Sequence, residues 1–179
     1  MIFLPRKTKE YEKGFTIAEV LISITVLSFG IILIYSAFTS IVNTTYTISA
    51  RSGAIYLAQE GIEIIRNIRD NNFLKRADNP NFSWSAGLMN GPCATGCMAD
   101  YKTNHYSQLL GNTDTFLSLN SDGFYSYDYG GLPTIFKRKI LINPLEGTSD
   151  ALKVQSMVTW DYNNQSYSFE ASEYLYNWK

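Results

Sequence analysis

The chain opens on mixed polar and basic positions and then changes abruptly. From Val20 to Ala50, thirty-one consecutive positions carry no charge. Glu19 stands alone at the mouth of that run, with Arg6, Lys7, Lys9 and Lys13 before it. The run exceeds the roughly 20 residues needed to cross a bilayer as a helix. Helix is expected from near Thr16 to about Lys75, because no proline interrupts that stretch and its only glycines are Gly30, Gly53 and Gly61. About sixty residues of helix would span about 90 Å, so the second half must lie outside lipid.

There the pattern turns one-sided. Ala54, Leu57, Ala58, Gly61, Ile62, Ile64, Ile65 and Ile68 recur at spacings of three and four, while Gln59, Glu60, Glu63, Arg66, Asn67 and Asp70 take the other face. This is an amphipathic helix whose apolar stripe needs a partner. Glu63–Arg66 and Arg66–Asp70 have the spacing of side-chain pairs. Asp70-Asn71-Asn72 weakens the helix, and Asp78-Asn79-Pro80 ends the region. Residues 78–113, punctuated by Pro80, Gly87, Gly91-Pro92, Gly96 and Gly111, read as a loop-rich insert. It is long for a structureless loop, so short elements or a function are expected in it.

Period-two segments follow. Thr115–Leu119 and Phe124–Tyr129 flank the turn signal Asn120-Ser121-Asp122-Gly123, and Thr134–Ile142 is rich in β-formers. Leu152–Tyr162 and Ser166–Leu175 flank Asn163-Asn164, where positive φ is tolerated, and read as a hairpin. Val154, Ser156, Val158 and Trp160 alternate with Lys153, Gln155, Met157 and Thr159, as a half-buried strand requires. The expected fold is α+β: a long N-terminal helix, membrane-embedded in its first half and amphipathic in its second, packed on an antiparallel β-meander of four or five strands.

Charge orients this plan. The chain has a net charge of −1, but residues 1–14 alone carry +2, so the body is acidic. A basic end stays cytoplasmic, which places the C-terminal body across the membrane in an oxidising space. An acidic body argues against nucleic acid as a direct partner, since phosphate binding needs a basic face. The apolar run is about twice the 7–15 residues of a signal-peptide core, and no small-residue cleavage site closes it. The helix is therefore expected to be retained. A carboxylate at the edge of hydrocarbon is costly, and such groups are usually paired and functional, so Glu19 is the residue to explain.

Gly14-Phe15-Thr16-x-x-Glu19-Val20, followed by the apolar helix, resembles the class III signal of type IV pilins and pseudopilins. The resemblance covers about residues 6–50 closely and the rest in outline. It implies a leader peptide, residues 1–14, removed after Gly14 by a prepilin peptidase that then N-methylates Phe15. It implies that residues 15–50 form a transmembrane and assembly helix, anchored in the inner membrane before assembly and packed on other pilin subunits in a cell-surface filament afterwards. Residues 51–77 would be the amphipathic half and 78–179 the insert and β-domain. Glu19 would pair with the new N-terminus of a subunit, and a pilus assembly platform would be a further partner. Small residues such as Ser23, Ser28, Gly30, Ser36 and Ala37 allow close helix approach. Where many major pilins carry a proline this chain has Ser36, which points to a minor pilin or to a pseudopilin of a secretion or DNA-uptake system. The reading from another class is a single-pass membrane protein with a ligand-binding extracytoplasmic domain.

Cys93 and Cys97 are the only cysteines. Outside the cytoplasm they read as a local disulfide, with Gly96 easing the loop, that shapes the insert rather than holding the fold. Structural zinc needs four ligands, and His105, the only histidine, would make three, so no metal is expected. Asp-rich loops at 112–122 lack the spacing of an EF-hand. The tyrosines around 125–129 and 162–176, with Trp160 and Trp178, read as cross-strand packing. Lys137-Arg138-Lys139 reads as a solvated strand face or an edge guard. No nucleophile motif, phosphate loop or two-histidine site appears, so neither enzymatic activity nor a cofactor is expected.

Overall fold

One helix, α1 (Ile17–Asp78), occupies the first part of the computed structural model, which describes residues 14–145, 147–148 and 150–178. Residues 1–13, which carry the basic stub and all of the expected leader but Gly14, lie outside the described residues. The chain divides into two compact units between Thr47 and Ile48. In the first, every large apolar side chain from Ile17 to Tyr46 is 41–83 % exposed, left uncovered among the described residues. Its hydroxyls turn back on the helix: Ser23 donates to the Glu19 carbonyl, Thr25 to Leu21 and Ser28 to Ile24, each at 2.8 Å. A hydroxyl satisfied in this way can face lipid without an unpaired polar atom.

The second unit is the rest of α1 and a seven-stranded sheet. All eight apolar-stripe positions expected from Ala54 to Ile68 are buried. The helix does not weaken at Asp70-Asn71-Asn72 but runs on to Asp78, because Asn72 is buried and its Nδ2 donates to the carbonyls of Trp84 and Ala86, both at 3.1 Å. Arg66 pairs with Glu63 as the spacing expects, but its second partner is Glu173 on the last strand rather than Asp70, which pairs with Arg69.

The strands are β1 (Cys97–Met98), β2 (Leu110–Gly111), β3 (Phe116–Leu119), β4 (Tyr125–Ser126), β5 (Leu132–Pro144), β6 (Ala151–Tyr162) and β7 (Gln165–Tyr176). All pairings are antiparallel. The expected strands are present, and the insert supplies two more, β1 and β2. A sequential meander holds for β5–β6–β7 only. The opposite side of β5 is shared: β1 pairs at Ile140, β3 pairs between Leu132 and Lys137, and β4 sits outside β3. The β6–β7 turn has Asn163 and Asn164 at φ 50° and 58°, as the hairpin requires.

The core forms two apolar clusters. One gathers Ile62, Ile65, Ile68, Ile140, Ile142, Val154 and Leu175 with the insert residues Trp84, Leu88, Cys93 and Cys97. The other gathers Ala50, Ala54, Leu57, Ala58, Leu117, Phe136, Val158 and Trp160. A polar layer lies between them: Gly61 on the helix, Arg138 on β5 and Ser156 on β6. A Cβ on Gly61 would strike Ser156 Oγ and stand 3.2 Å from Arg138 Cδ, so only glycine lets the sheet approach here. This corrects the reading of Lys137-Arg138-Lys139 as a solvated face. Arg138 is 1 % exposed and donates to the Leu57 carbonyl (2.9 Å), Glu60 Oε2 (2.8 Å) and the Ala99 carbonyl (2.5 Å). Part of the expected cross-strand aromatic packing is present: Trp160 and Tyr167, directly opposite each other, stack at 5.7 Å, and Tyr125 meets Phe136. Tyr129, Tyr174 and Tyr176 are exposed, and Trp178 packs on Phe73 of the helix rather than on a strand.

Candidate functional site

The N-terminal stretch was built by local rules. The Thr16 carbonyl accepts the first helical bond, from the Val20 N–H at 3.2 Å, and Thr16 Oγ1 accepts from the Glu19 N–H at 3.3 Å. Thr16 is thus the N-cap of α1, and Glu19, three residues on, holds the position an acid occupies in a capping box. Its negative charge also faces the positive end of the helix dipole. The sequence contained this signal, Thr16-x-x-Glu19, and the capping role of Thr16 was readable from it. Glu19 is exposed, and its carboxylate accepts no hydrogen bond or ion pair among the described residues. Gly14 and Phe15 are exposed as well, Phe15 at 80 %, and no atom lies within 4 Å of where a Cβ on Gly14 would sit. Among the described residues nothing covers the peptide bond between them.

The prokaryotic N-terminal methylation motif matches residues 11–35. That match supports a type IV pilin-like or pseudopilin precursor and implies processing by a prepilin peptidase and membrane anchoring through the apolar helix. No curated protein and no solved structure matches the chain.

Elsewhere the chemistry is occupied internally. Cys93 and Cys97 form a disulfide with Cα atoms 4.4 Å apart, and both are fully buried. Gly96 takes φ 126°, a conformation that favours glycine. His105 accepts from the Ser107 N–H as the cap of a short turn. No group of three or more His, Cys, Asp or Glu side chains is gathered for a metal among the described residues. An open groove of about 520 Å³ runs beside α1, lined by Glu60, Glu63, Arg66, Asp70 and Tyr101 among others. Its charges are spent within the chain: Glu60 on Arg138, Glu63 on Arg66 and Asp70 on Arg69. Glu63 and Glu173 on the Arg66 guanidinium raise its pKa further, with the Glu173 hydrogen bond the larger cause. Burial raises the pKa of the Tyr127 phenol, which donates to the Arg138 carbonyl at 3.1 Å.

Proposed function

We propose that the chain is the precursor of a type IV pilus-like filament subunit, cleaved after Gly14, N-methylated on Phe15 and assembled as a minor pilin. The observation that carries this reading is the methylation motif at residues 11–35 running into a helix exposed on every side. Each large apolar side chain left in water forgoes on the order of 1.5–3 kcal/mol, so this helix belongs in lipid or among other helices. Cleavage creates an α-amine with a reference pKa near 8, mostly protonated at neutral pH. A cation at a helix N-terminus opposes the dipole and needs a counter-charge once water is excluded. Glu19, with its carboxylate unengaged, supplies it from a neighbouring subunit. Such a pair loses hydration as it gains attraction, so it sets register more than it adds stability.

In this reading residues 1–14 are the leader, 15–50 the membrane and assembly helix, 51–77 its amphipathic continuation, and 78–179 the insert and sheet. The partners are the prepilin peptidase, other subunits and the assembly platform. The body is extracytoplasmic on the inner membrane and then on a surface filament. Ser36 favours a minor pilin, or a pseudopilin processed in the same way, over a major pilin. Mass spectrometry of the mature N-terminus tests the processing: methylated Phe15 is expected, and an intact Met1 sinks the reading. Glu19→Ala is expected to be cleaved and retained in the membrane yet to enter filaments poorly. Wild-type incorporation would remove the role of Glu19.

A further inference from the structure

The two margins of the sheet are built differently. One is broken into the short pairs β1–β2 and β3–β4 and carries an irregularity between Phe116 and Ser118. The other is β7 alone, twelve residues in continuous register with β6. Native sheets protect a long margin with charged side chains, lysine above all, or with proline, a bulge or a covering segment, because its unpaired backbone is a template for another strand. From Gln165 to Tyr176 there is no Lys, Arg, Pro or Gly; the charges are Glu170 and Glu173, and Glu173 is paired with Arg66 of α1. Among the described residues no strand pairs beyond β7.

The turn decides which backbone groups are free. Asn163 and Asn164, both at positive φ, make a two-residue turn that closes Tyr162 and Gln165 as a hydrogen-bonded pair. Pairing alternates from there along the ladder. Gln165, Tyr167, Phe169, Ala171, Glu173 and Leu175 therefore bond to β6. Ser166, Ser168, Glu170, Ser172, Tyr174 and Tyr176 turn N–H and C=O outward, and these same residues are exposed. Tyr167 and Phe169, on the helix-facing side, are only half-buried, so apolar surface remains for a further strand to cover.

We infer that β7 accepts an extended strand from a second protein, adding to the sheet through main-chain hydrogen bonds. The strand that fits is apolar where it meets Tyr167 and Phe169 and carries Lys or Arg beside Glu170. Glu173 is taken by Arg66, whereas exposed Glu170 accepts from Gln155 Nε2 (2.7 Å) and pairs with no cation among the described residues. A second copy of β7 lacks this chemistry: between Gln165 and Tyr176 its only charges are Glu170 and Glu173, so it offers no cation beside Glu170. The strand that fits therefore belongs to a different protein, and the inference stands apart from the filament reading.

Residue-resolved amide exchange on the full chain in detergent micelles tests it, with a twelve-residue peptide of alternating Val and Thr and one central Lys as probe. In the free protein the amides of Ser168, Glu170, Ser172 and Tyr174 exchange fast, while those of Tyr167, Phe169 and Ala171 are protected. Saturating peptide slows the first set at least tenfold. Ser168→Pro and Ser172→Pro remove only outward N–H groups, a position where strands tolerate proline. These variants keep the wild-type unfolding temperature and lose the peptide-induced protection. The inference is overturned if the first set is already protected without peptide, including through self-association. It is equally overturned if peptide leaves their exchange unchanged, or protects the proline variants as well as wild type.

Discussion

Glu60→Gln probes the polar layer of the core with almost no change of shape. It removes one charge and leaves the guanidinium of Arg138, whose side chain is 0 % exposed, without its counter-ion. The two groups stand 2.8 Å apart, N to O. Opposite charges about 4 Å apart attract by about 4 kcal/mol at an effective dielectric of about 20. The Glu60 side chain is 33 % exposed, so water screens part of this, and glutamine retains a neutral acceptor worth about 1 kcal/mol. A loss of about 2–3 kcal/mol is expected, somewhat below the roughly 3–5 kcal/mol for breaking a fully buried pair. Urea unfolding of the full chain in detergent, followed by the fluorescence of buried Trp84 and Trp160, measures it. At about 1–3 kcal/mol per molar urea, the midpoint falls by roughly 0.7–3 M. Arg138→Met strands the Ala99 carbonyl and costs about 1–3 kcal/mol by that route alone. In that background the carboxylate has nothing to compensate, so adding Glu60→Gln changes little. A midpoint shift below about 0.3 M for Glu60→Gln, or the same shift with and without Arg138, refutes the reasoning.

Three further outcomes follow from the same unit. Gly61→Ala improves helix propensity by about 1 kcal/mol but drives a methyl into Ser156 and Arg138, an overpacking of about 1–3 kcal/mol; the urea midpoint should fall, not rise. Replacing Cys93 and Cys97 together by alanine opens a bridge of sequence separation 4, whose chain-entropy worth is about 2 kcal/mol; circular dichroism should show a folded but less stable domain. Tyr127 has its folded pKa raised, chiefly by burial, so its neutral form contributes fully below about pH 10 and that contribution is lost as pH rises through the raised value. Wild type should therefore lose more stability between pH 8 and 11 than Tyr127→Phe, compared by their urea midpoints.

The parts of this protein legible in its sequence are those set by neighbours along the chain. A 3.6-residue period placed the buried stripe from Ala54 to Ile68, and a two-residue period placed the inward face of β6. Two consecutive asparagines marked the turn into β7, and the uncharged run marked a helix that the other described residues leave bare. The stretch from Gly14 to Glu19 is likewise local, which is why its motif and its cap both show in one line of residues. What the tertiary structure decided depends on groups far apart in sequence. Arg66 took Glu173, 107 residues away, over Asp70 four residues away, because the sheet brings that carboxylate across the helix. Arg138 shares its strand face with Phe136 and Ile140, a parity that hinted at burial. Only the packed fold supplied the missing Cβ of Gly61 and the carboxylate of Glu60 that let a cation reside there. The split side of β5 and the open margin of β7 belong to the same class, since strand order is set by how all the pieces cover one helix together.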